Sequence, residues 1–375
     1  MKHISLGTLA MVALAACSDD GSNGTGPRPI DPDASAVYVQ TNDAAGNAVV
    51  AFRRADDGRL SPLGTFPTDG RGTGNPRLGS QGSVVLSEDG RFLFVTNIGS
   101  NEISAFAVTE DGLTLVDKVE SGGEMPYSIA HRGDLMYVLN NGGSGNITGF
   151  RVSSTGELSP IEGSTRPLSG ADTDPAQVSF SPDGATLVVT EKATDQIDTY
   201  AVGADGLAQG PTVHASSGAT PFGFAFTPGT GGVFVVTEAF DGAPGAAAAS
   251  SYTLSGASGF EVISATVRDT QTDVCWTVIT NDARYAYITN FVSGTISSYT
   301  IASDGSITLL EAEAGRTGPG LGPRDEDLSE DGRFLYVVDV LTQAISAFDV
   351  QADGSLEPVG TFGGLPTTVA GLAAN

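Results

Sequence analysis

The stretch that decides the fold is residues 174–200, which read DPAQVSFSPDGATLVVTEKATDQIDTY. Three alternating, β-branched runs are separated here by polar segments, and Asp-Gly between such runs is typical of a tight hairpin turn. The middle run ends in a polar residue and has seven copies in the chain: residues 37–42, 93–97, 136–140, 187–191, 233–238, 287–290 and 335–339. Another alternating run follows each copy, which predicts a repeated set of antiparallel strands.

A second marker gives the same number of repeats. Turn glycines lie 44 to 54 residues apart, at Gly58, Gly112, Gly156, Gly206, Gly259, Gly305 and Gly354. Four strands in about 50 residues, without an amphipathic helix, predict an all-β, seven-bladed β-propeller with four antiparallel strands per blade. The first repeat begins at its second strand, and residues 367–372 have the pattern of the missing first strand. We therefore expect one propeller over residues 35–375, closed by pairing of its N- and C-terminal strands.

The N-terminal residues predict export. Residues 1–16 combine a short basic start with an apolar run that is too short to span a bilayer, as in a secretory signal peptide. The run ends at Cys17 in a sequence that resembles the bacterial lipobox, so we expect lipidation of Cys17 and a flexible tether over residues 17–34. Ser18 favours the outer membrane if the cell is Gram-negative. The alternative is an ordinary signal peptide cut nearby; either way the predicted location is extracytoplasmic.

The charge and cysteine content of the chain limit which partners and which covalent links are expected. The chain has 18 Lys and Arg against 44 Asp and Glu, a formal net charge of -26, which disfavours nucleic acid. We expect contact with a membrane through the lipid anchor alone, and a monomer. Cys275 is the only cysteine besides Cys17, so the propeller has no internal disulfide and must be stable through packing.

The Ser-Pro-Asp-Gly and Val-Thr-Asn repeats resemble those of the lactonase family of seven-bladed propellers, which includes 6-phosphogluconolactonases and carboxymuconate lactonizing enzymes. The resemblance covers nearly all of residues 36–375 and implies lactone hydrolysis. Glu191 stands where the family has a Glu, whereas Gln177 and Ala176 occupy the places of its His and Arg. In the sixth repeat, residues 322–325 keep Gly-Pro-Arg and have Asp in place of His.

Alternating strand directions place the start of each inner strand and the end of each second strand at one mouth of the central channel. For lactone hydrolysis, Arg324 would polarise the carbonyl, and Glu191 or Asp325 would act as the base for water. The remaining polar or aromatic side chains predicted at this mouth would contact a small lactone or a carbohydrate-like ligand: Gln177, Glu238, Trp276 and Asp339.

Other interpretations remain open at this stage. The carboxylates could instead satisfy backbone amides at blade corners, or hold a divalent cation through their oxygens, although the reaction requires no cofactor. Trp276 could be a core residue. Two functions therefore remain: a lactone hydrolase, and a propeller that binds a ligand or a protein at its surface without catalysis.

Overall fold

The structure, a computed structural model, describes residues 1, 31, 35–75, 78–229 and 231–375. Its strands form seven antiparallel sheets. The first three blades contain β1 (Ala36–Gln40), β2 (Ala48–Arg54), β3 (Leu60–Pro67), β4 (Val84–Leu86), β5 (Phe92–Asn97), β6 (Glu102–Thr109), β7 (Gly112–Glu120), β8 (Pro126–Arg132), β9 (Leu135–Asn140), β10 (Asn146–Val152), β11 (Leu158–Pro160) and β12 (Arg166–Pro167). The expected signal peptide and Cys17 lie outside the described residues.

Blades 4 to 7 follow in chain order. They contain β13 (Pro175–Phe180), β14 (Thr186–Glu191), β15 (Gln196–Val202), β16 (Ala208–Ala215), β17 (Pro221–Phe226), β18 (Val233–Glu238), β19 (Ala248–Ser255), β20 (Gly259–Arg268), β21 (Val274–Ile279), β22 (Tyr285–Asn290), β23 (Thr295–Ile301), β24 (Ile307–Arg316), β25 (Pro323–Leu328), β26 (Phe334–Asp339), β27 (Ala344–Val350), β28 (Leu356–Gly363) and β29 (Ala370–Ala374). A single 3-10 turn, Phe240–Gly242, is the only helical element of the described residues.

The ring closes as predicted, with β29 as the inner strand of blade 1 in the order β29-β1-β2-β3. The inner strands β29, β4, β8, β13, β17, β21 and β25 contact one another in turn around the channel. The closing strand covers residues 370–374 rather than the expected 367–372. Gly371, with a φ of 69°, is the unpaired residue of a bulge between the Val39–Leu372 and Gln40–Ala370 pairs.

Packing between blades explains the glycine turns. Tyr137, Tyr287 and Tyr336 each donate their hydroxyl to the carbonyl of the turn glycine in the following blade, Gly206, Gly354 and Gly58, at 2.8 to 3.0 Å. The turn glycines have positive φ, which L-residues with a side chain rarely adopt. Gly259 is the exception: it begins β20, and Gly256 supplies the positive φ of 65° in that turn.

Candidate functional site

The channel has two ends, and the predicted residues belong to one of them. The first residue of an inner strand pairs with the last residue of the second strand, as in Pro175 with Glu191 and Pro323 with Asp339. We call this end the entry mouth, and the end where the inner strands finish the exit mouth. The register therefore confirms that the two sets of residues lie at the same end of the channel.

The carboxylates at the ends of the second strands are fully buried and hold the connections that arrive from the preceding blade. Glu191 accepts hydrogen bonds from the Ser169 amide at 3.0 Å, the Ser169 hydroxyl at 2.5 Å and the Thr194 hydroxyl at 2.6 Å. Asp339 accepts from Thr317 Oγ1 at 2.6 Å and from the Leu341 amide at 2.9 Å. These contacts give both side chains a positioning role.

The same arrangement recurs in other blades. Glu238 accepts from the Gly218 amide at 2.8 Å, and Asn97 accepts from the Thr68 hydroxyl at 2.7 Å. Because an asparagine does this in blade 2, the contact needs an acceptor and not a charge. The catalytic role of Glu191 and the substrate-binding roles of Glu238 and Asp339 stay predictions.

A second buried carboxyl accompanies Glu191. Asp198 is fully buried on β15, and burial, followed by the nearby charge of Glu191, raises its pKa to about 8. At neutral pH this side chain is therefore mostly protonated. The corresponding place on the third strand of five other blades is a small hydroxyl residue: Ser104, Thr148, Ser250, Ser297 and Ser346.

Two buried cations meet at the entry mouth. Among the residues that the structure describes, Lys192 and Arg324 are the only buried lysine and arginine. The Arg324 guanidinium lies over the Phe291 ring at 4.1 Å, and its Nη1 donates to the carbonyl oxygen of Leu78 at 3.5 Å. Lys192 Nζ donates to the carbonyl oxygen of Gly79 at 2.8 Å. Both cations are thus directed at peptide carbonyl oxygens.

Sequence reasoning missed Lys192, although the chain has only three lysines and this one directly follows Glu191. Its ammonium also lies 3.3 Å from the Asp174 carboxylate and over the Phe222 ring at 4.9 Å. Burial lowers the pKa of Lys192, and the charge of Asp174 opposes that effect. Lys192 is therefore held between a carboxylate, an aromatic ring and a carbonyl oxygen.

Asp325 follows Arg324 in the irregular part of β25, where the register shifts between Pro323 and Glu326. It accepts from the backbone amides of Leu372 at 3.2 Å and of Glu326 at 3.0 Å, and from that of Gly82. Burial raises its pKa to about 8, against which these amide bonds act. Asp325 is thus the predicted base whose pKa lies near neutrality.

The other predicted residues divide between the core and the channel. Trp276 is buried, with its ring edge-on to Phe222 at 4.9 Å, and packs in the core of the inner strands. Burial raises the pKa of the neighbouring Cys275 thiol to about 12, so it is unreactive where it lies. Gln177 bonds both the amide and the carbonyl of Phe224, at 2.7 and 2.9 Å.

Residues 78–82 cross the entry mouth, and we call them the plug segment. Besides its carbonyl contacts with Lys192 and Arg324, its Gln81 side chain donates to the carbonyl of Thr277 at 3.0 Å. The Gln81 amide donates to the carbonyl of Ala176 at 3.2 Å. The segment therefore spans from blade 4 to blade 6 and covers the predicted site.

An open cavity of about 580 Å³ lies at the exit mouth, between the ends of the inner strands of blades 4 to 7. Gln81 and Gln177 reach it from the channel, and Asp327 lines its side. Within the described ranges no group of three or more His, Cys, Asp and Glu could hold a metal ion. In the same residues, none of the helical structure is long and apolar enough to cross a membrane.

Comparisons with known proteins agree with this architecture. The family described as "Lactonase, 7-bladed beta-propeller" matches residues 15–171 and 163–241. An uncharacterized protein of Staphylococcus aureus strain N315 is 38% identical over 81 residues, which is 20% of this chain; the match spans about a quarter, 24%, of that relative's length.

Solved structures match over almost the whole propeller. A putative 6-phosphogluconolactonase from Bacteroides fragilis covers 92% of this chain and 99% of its own, with a TM-score of 0.68 and 20% identity. A periplasmic gluconolactonase from Pseudomonas aeruginosa covers 90% and 98%, with a TM-score of 0.70 and 16% identity. At these identities the likeness shows the fold.

Proposed function

Because the chain belongs to the seven-bladed lactonase propeller family, we propose that it hydrolyses a lactone at the entry mouth. The observation that carries the proposal is the pair of buried cations, Lys192 and Arg324, both bound to carbonyl oxygens in the mouth. Such donors stabilise the negative charge that develops on a carbonyl oxygen during attack by water. The chain has only 18 Lys and Arg against 44 Asp and Glu, so two buried cations at one mouth are not explained by composition.

The base in the proposed chemistry is the residue that follows Arg324 in sequence. Asp325, with a pKa of about 8, takes the proton from water as its oxygen attacks the lactone carbonyl carbon. Arg324 and Lys192 stabilise the oxyanion of the tetrahedral intermediate. The bond to the ring oxygen then breaks, and the proton passes to that oxygen, which yields a hydroxy acid. Glu191 fixes the strand end from which Lys192 projects.

The substrate class and the location are parts of the same proposal. The rings of Phe222 and Phe291 lie against the two cations of the mouth, which suits the ring of a sugar lactone or of an aromatic-acid lactone. We place the protein outside the cytoplasm on a lipid anchor at Cys17, acting as a monomer without a cofactor. If Cys17→Ser leaves membrane association of the protein unchanged, the anchor is wrong.

The test is hydrolysis of a panel of sugar and aromatic-acid lactones by wild type, Arg324→Ala and Lys192→Met. Removing one oxyanion donor should lower kcat by about 10²-fold or more. Arg284→Ala is the matched control, since Arg284 also lies over an aromatic ring, Tyr285 at 4.9 Å, but is exposed. Activity that is equal in wild type, Arg324→Ala and Lys192→Met would remove this site.

One observation favours a second function, ligand binding without turnover. The oxygens of Glu191 accept three hydrogen bonds from Ser169 and Thr194, and the plug segment covers the mouth. A binding propeller needs no base, so its affinity for a lactone or its hydroxy acid would persist in Asp325→Asn while no lactone is hydrolysed by wild type. Isothermal titration calorimetry beside the activity panel separates the two functions.

A further inference from the structure

The connection between blades 1 and 2 is longer than the others. It covers residues 68–83, sixteen residues, whereas the six other connections between an outer strand and the next inner strand contain five to seven. At the blade corner, the Thr68 hydroxyl donates to the last residue of the next blade's second strand, Asn97. Thr317 makes the same contact with Asp339 in the short connection before blade 7. The additional length is therefore not needed to join the blades, and its last part is the plug segment.

We propose that the plug segment, residues 78–82, is a self-inhibitory closure whose backbone occupies the place of the ligand and must leave before a ligand enters. Its carbonyl oxygens at Leu78 and Gly79 each accept a hydrogen bond, from Arg324 and Lys192. Its Gly82 amide is one of three backbone amides that donate to the Asp325 carboxyl. The three groups assigned to catalysis are thus each engaged by the same five residues.

The plug segment also separates the two ends of the channel. Gln81 contacts the inner strand of blade 6 at Thr277 and lines the exit cavity at the same time. Ile129 of blade 3 donates to the Gly82 carbonyl at 2.8 Å. Displacement of these five residues would join the entry mouth to the cavity of about 580 Å³ at the exit mouth.

The bonds that hold the segment are of a kind that a ligand can replace. Residues 78–82 belong to no strand and include two glycines, Gly79 and Gly82, the second with a φ of 76°. Leu78 is the one buried apolar side chain of the segment, in a small cluster with Ile98 and Ala370. Polar contacts and few apolar ones are typical of segments that open locally.

The experiment uses Cys275 and Trp276 as reporters, because they directly precede Thr277, whose carbonyl accepts the Gln81 bond. Both are buried, Trp276 is the only tryptophan, and Cys275 becomes the only thiol when the full chain carries Cys17→Ser. In this background we would compare Gln81→Ala with Gln177→Ala. Both glutamines bond the backbone of a neighbouring inner strand, but Gln177 lies within β13 and outside the plug segment.

Loss of the Gln81 bonds should raise the rate of Cys275 labelling by a maleimide about tenfold, and raise acrylamide quenching of Trp276, because open states become more populated. Gln177→Ala should label like the background. Equal labelling in the two variants, or labelling that depends on urea as steeply as global unfolding does, would overturn the closure.

This inference takes the identity of the ligand from the proposed function, but the labelling and quenching experiment needs no ligand. If lactones are hydrolysed, Gln81→Ala should raise kcat/KM by the same factor as the labelling rate, since the apparent affinity scales with the open fraction. If no lactone is hydrolysed while labelling and quenching respond as expected, the proposed function fails and the closure stands.

Discussion

Replacing Asp198 by serine tests whether the buried carboxyl pair is maintained at a cost in stability. Five other blades have a serine or threonine at this place, so the smaller hydroxyl fits the fold. In blade 2, for example, Ser104 Oγ donates to the Thr68 carbonyl at 2.8 Å. We expect Asp198→Ser to fold and to be more stable than wild type above neutral pH.

The magnitude follows from linkage between protonation and folding. The folded-state pKa of Asp198, about 8, is raised above the unfolded value of about 3.9. The stability that the protonated group contributes is therefore complete below about pH 4 and is lost as the pH rises towards about 8. Each pH unit in that window changes the free energy by about 1.36 kcal/mol, so the advantage of Asp198→Ser should grow by about 4 kcal/mol between about pH 5 and pH 8.

Urea unfolding followed by Trp276 fluorescence at several pH values measures this difference. Asp56→Ser is the control for charge alone, because Asp56 is exposed in the turn between β2 and β3. Its effect should stay within about 0.5 kcal/mol at each pH. An advantage of Asp198→Ser that does not change with pH, or a loss of stability at pH 8, would show that the carboxyl is ionised and stabilised, which refutes the reasoning.

Three further predictions concern blade 7 and its contact with blade 1. Glu326→Val should raise the urea midpoint at neutral pH, because burial of this carboxyl costs free energy, and Val178→Glu, the reverse change at the matching place in blade 4, should lower it. Tyr336→Phe should lower the free energy of unfolding in urea titrations by about 1 kcal/mol, because it removes the 3.0 Å hydrogen bond to Gly58 between blade 7 and blade 1. An unchanged free energy of unfolding would show that this bond does not contribute to stability. The kcat/KM for a lactone, corrected for spontaneous hydrolysis, should rise with pH towards about 8 as Asp325 loses its proton, and a profile that is flat from pH 6 to 8 would exclude it as the base.

The fold could be predicted because each repeat has a local sequence pattern of strand runs and turn glycines. Each strand run and each turn glycine recurs at a similar interval, and the alternation needs no knowledge of distant contacts. The bounds of the closing strand could not be predicted to the residue, because the local pattern there is weak. The closing strand is Ala-rich and contains Gly371, so its register is set by β1 and not by its own propensity.

The site was predicted only in part, for a physical reason. Topology alone brings the starts of inner strands and the ends of second strands to one mouth, which placed Arg324, Asp325 and Glu191 correctly at that end. The contact between Lys192 and Gly79 joins residues 113 positions apart and depends on the path of an irregular connection. Neither a period nor a propensity describes such a path, so the sequence did not predict the plug segment.

Comparison of the repeats shows which buried charges the fold does not need. Glu326, which pairs with Val337, matches Val84, Ile129, Val178, Phe224, Thr277 and Leu372 in the other blades, none of which is charged. Two positions earlier, Arg324 matches Ala176, Phe222 and Cys275 in blades 4 to 6, which are also uncharged. Burial raises the pKa of Asp325, Glu326 and Asp327 alike. Six blades thus show that the fold does not need a charge at the Glu326 position, so packing does not explain the carboxyl on β25.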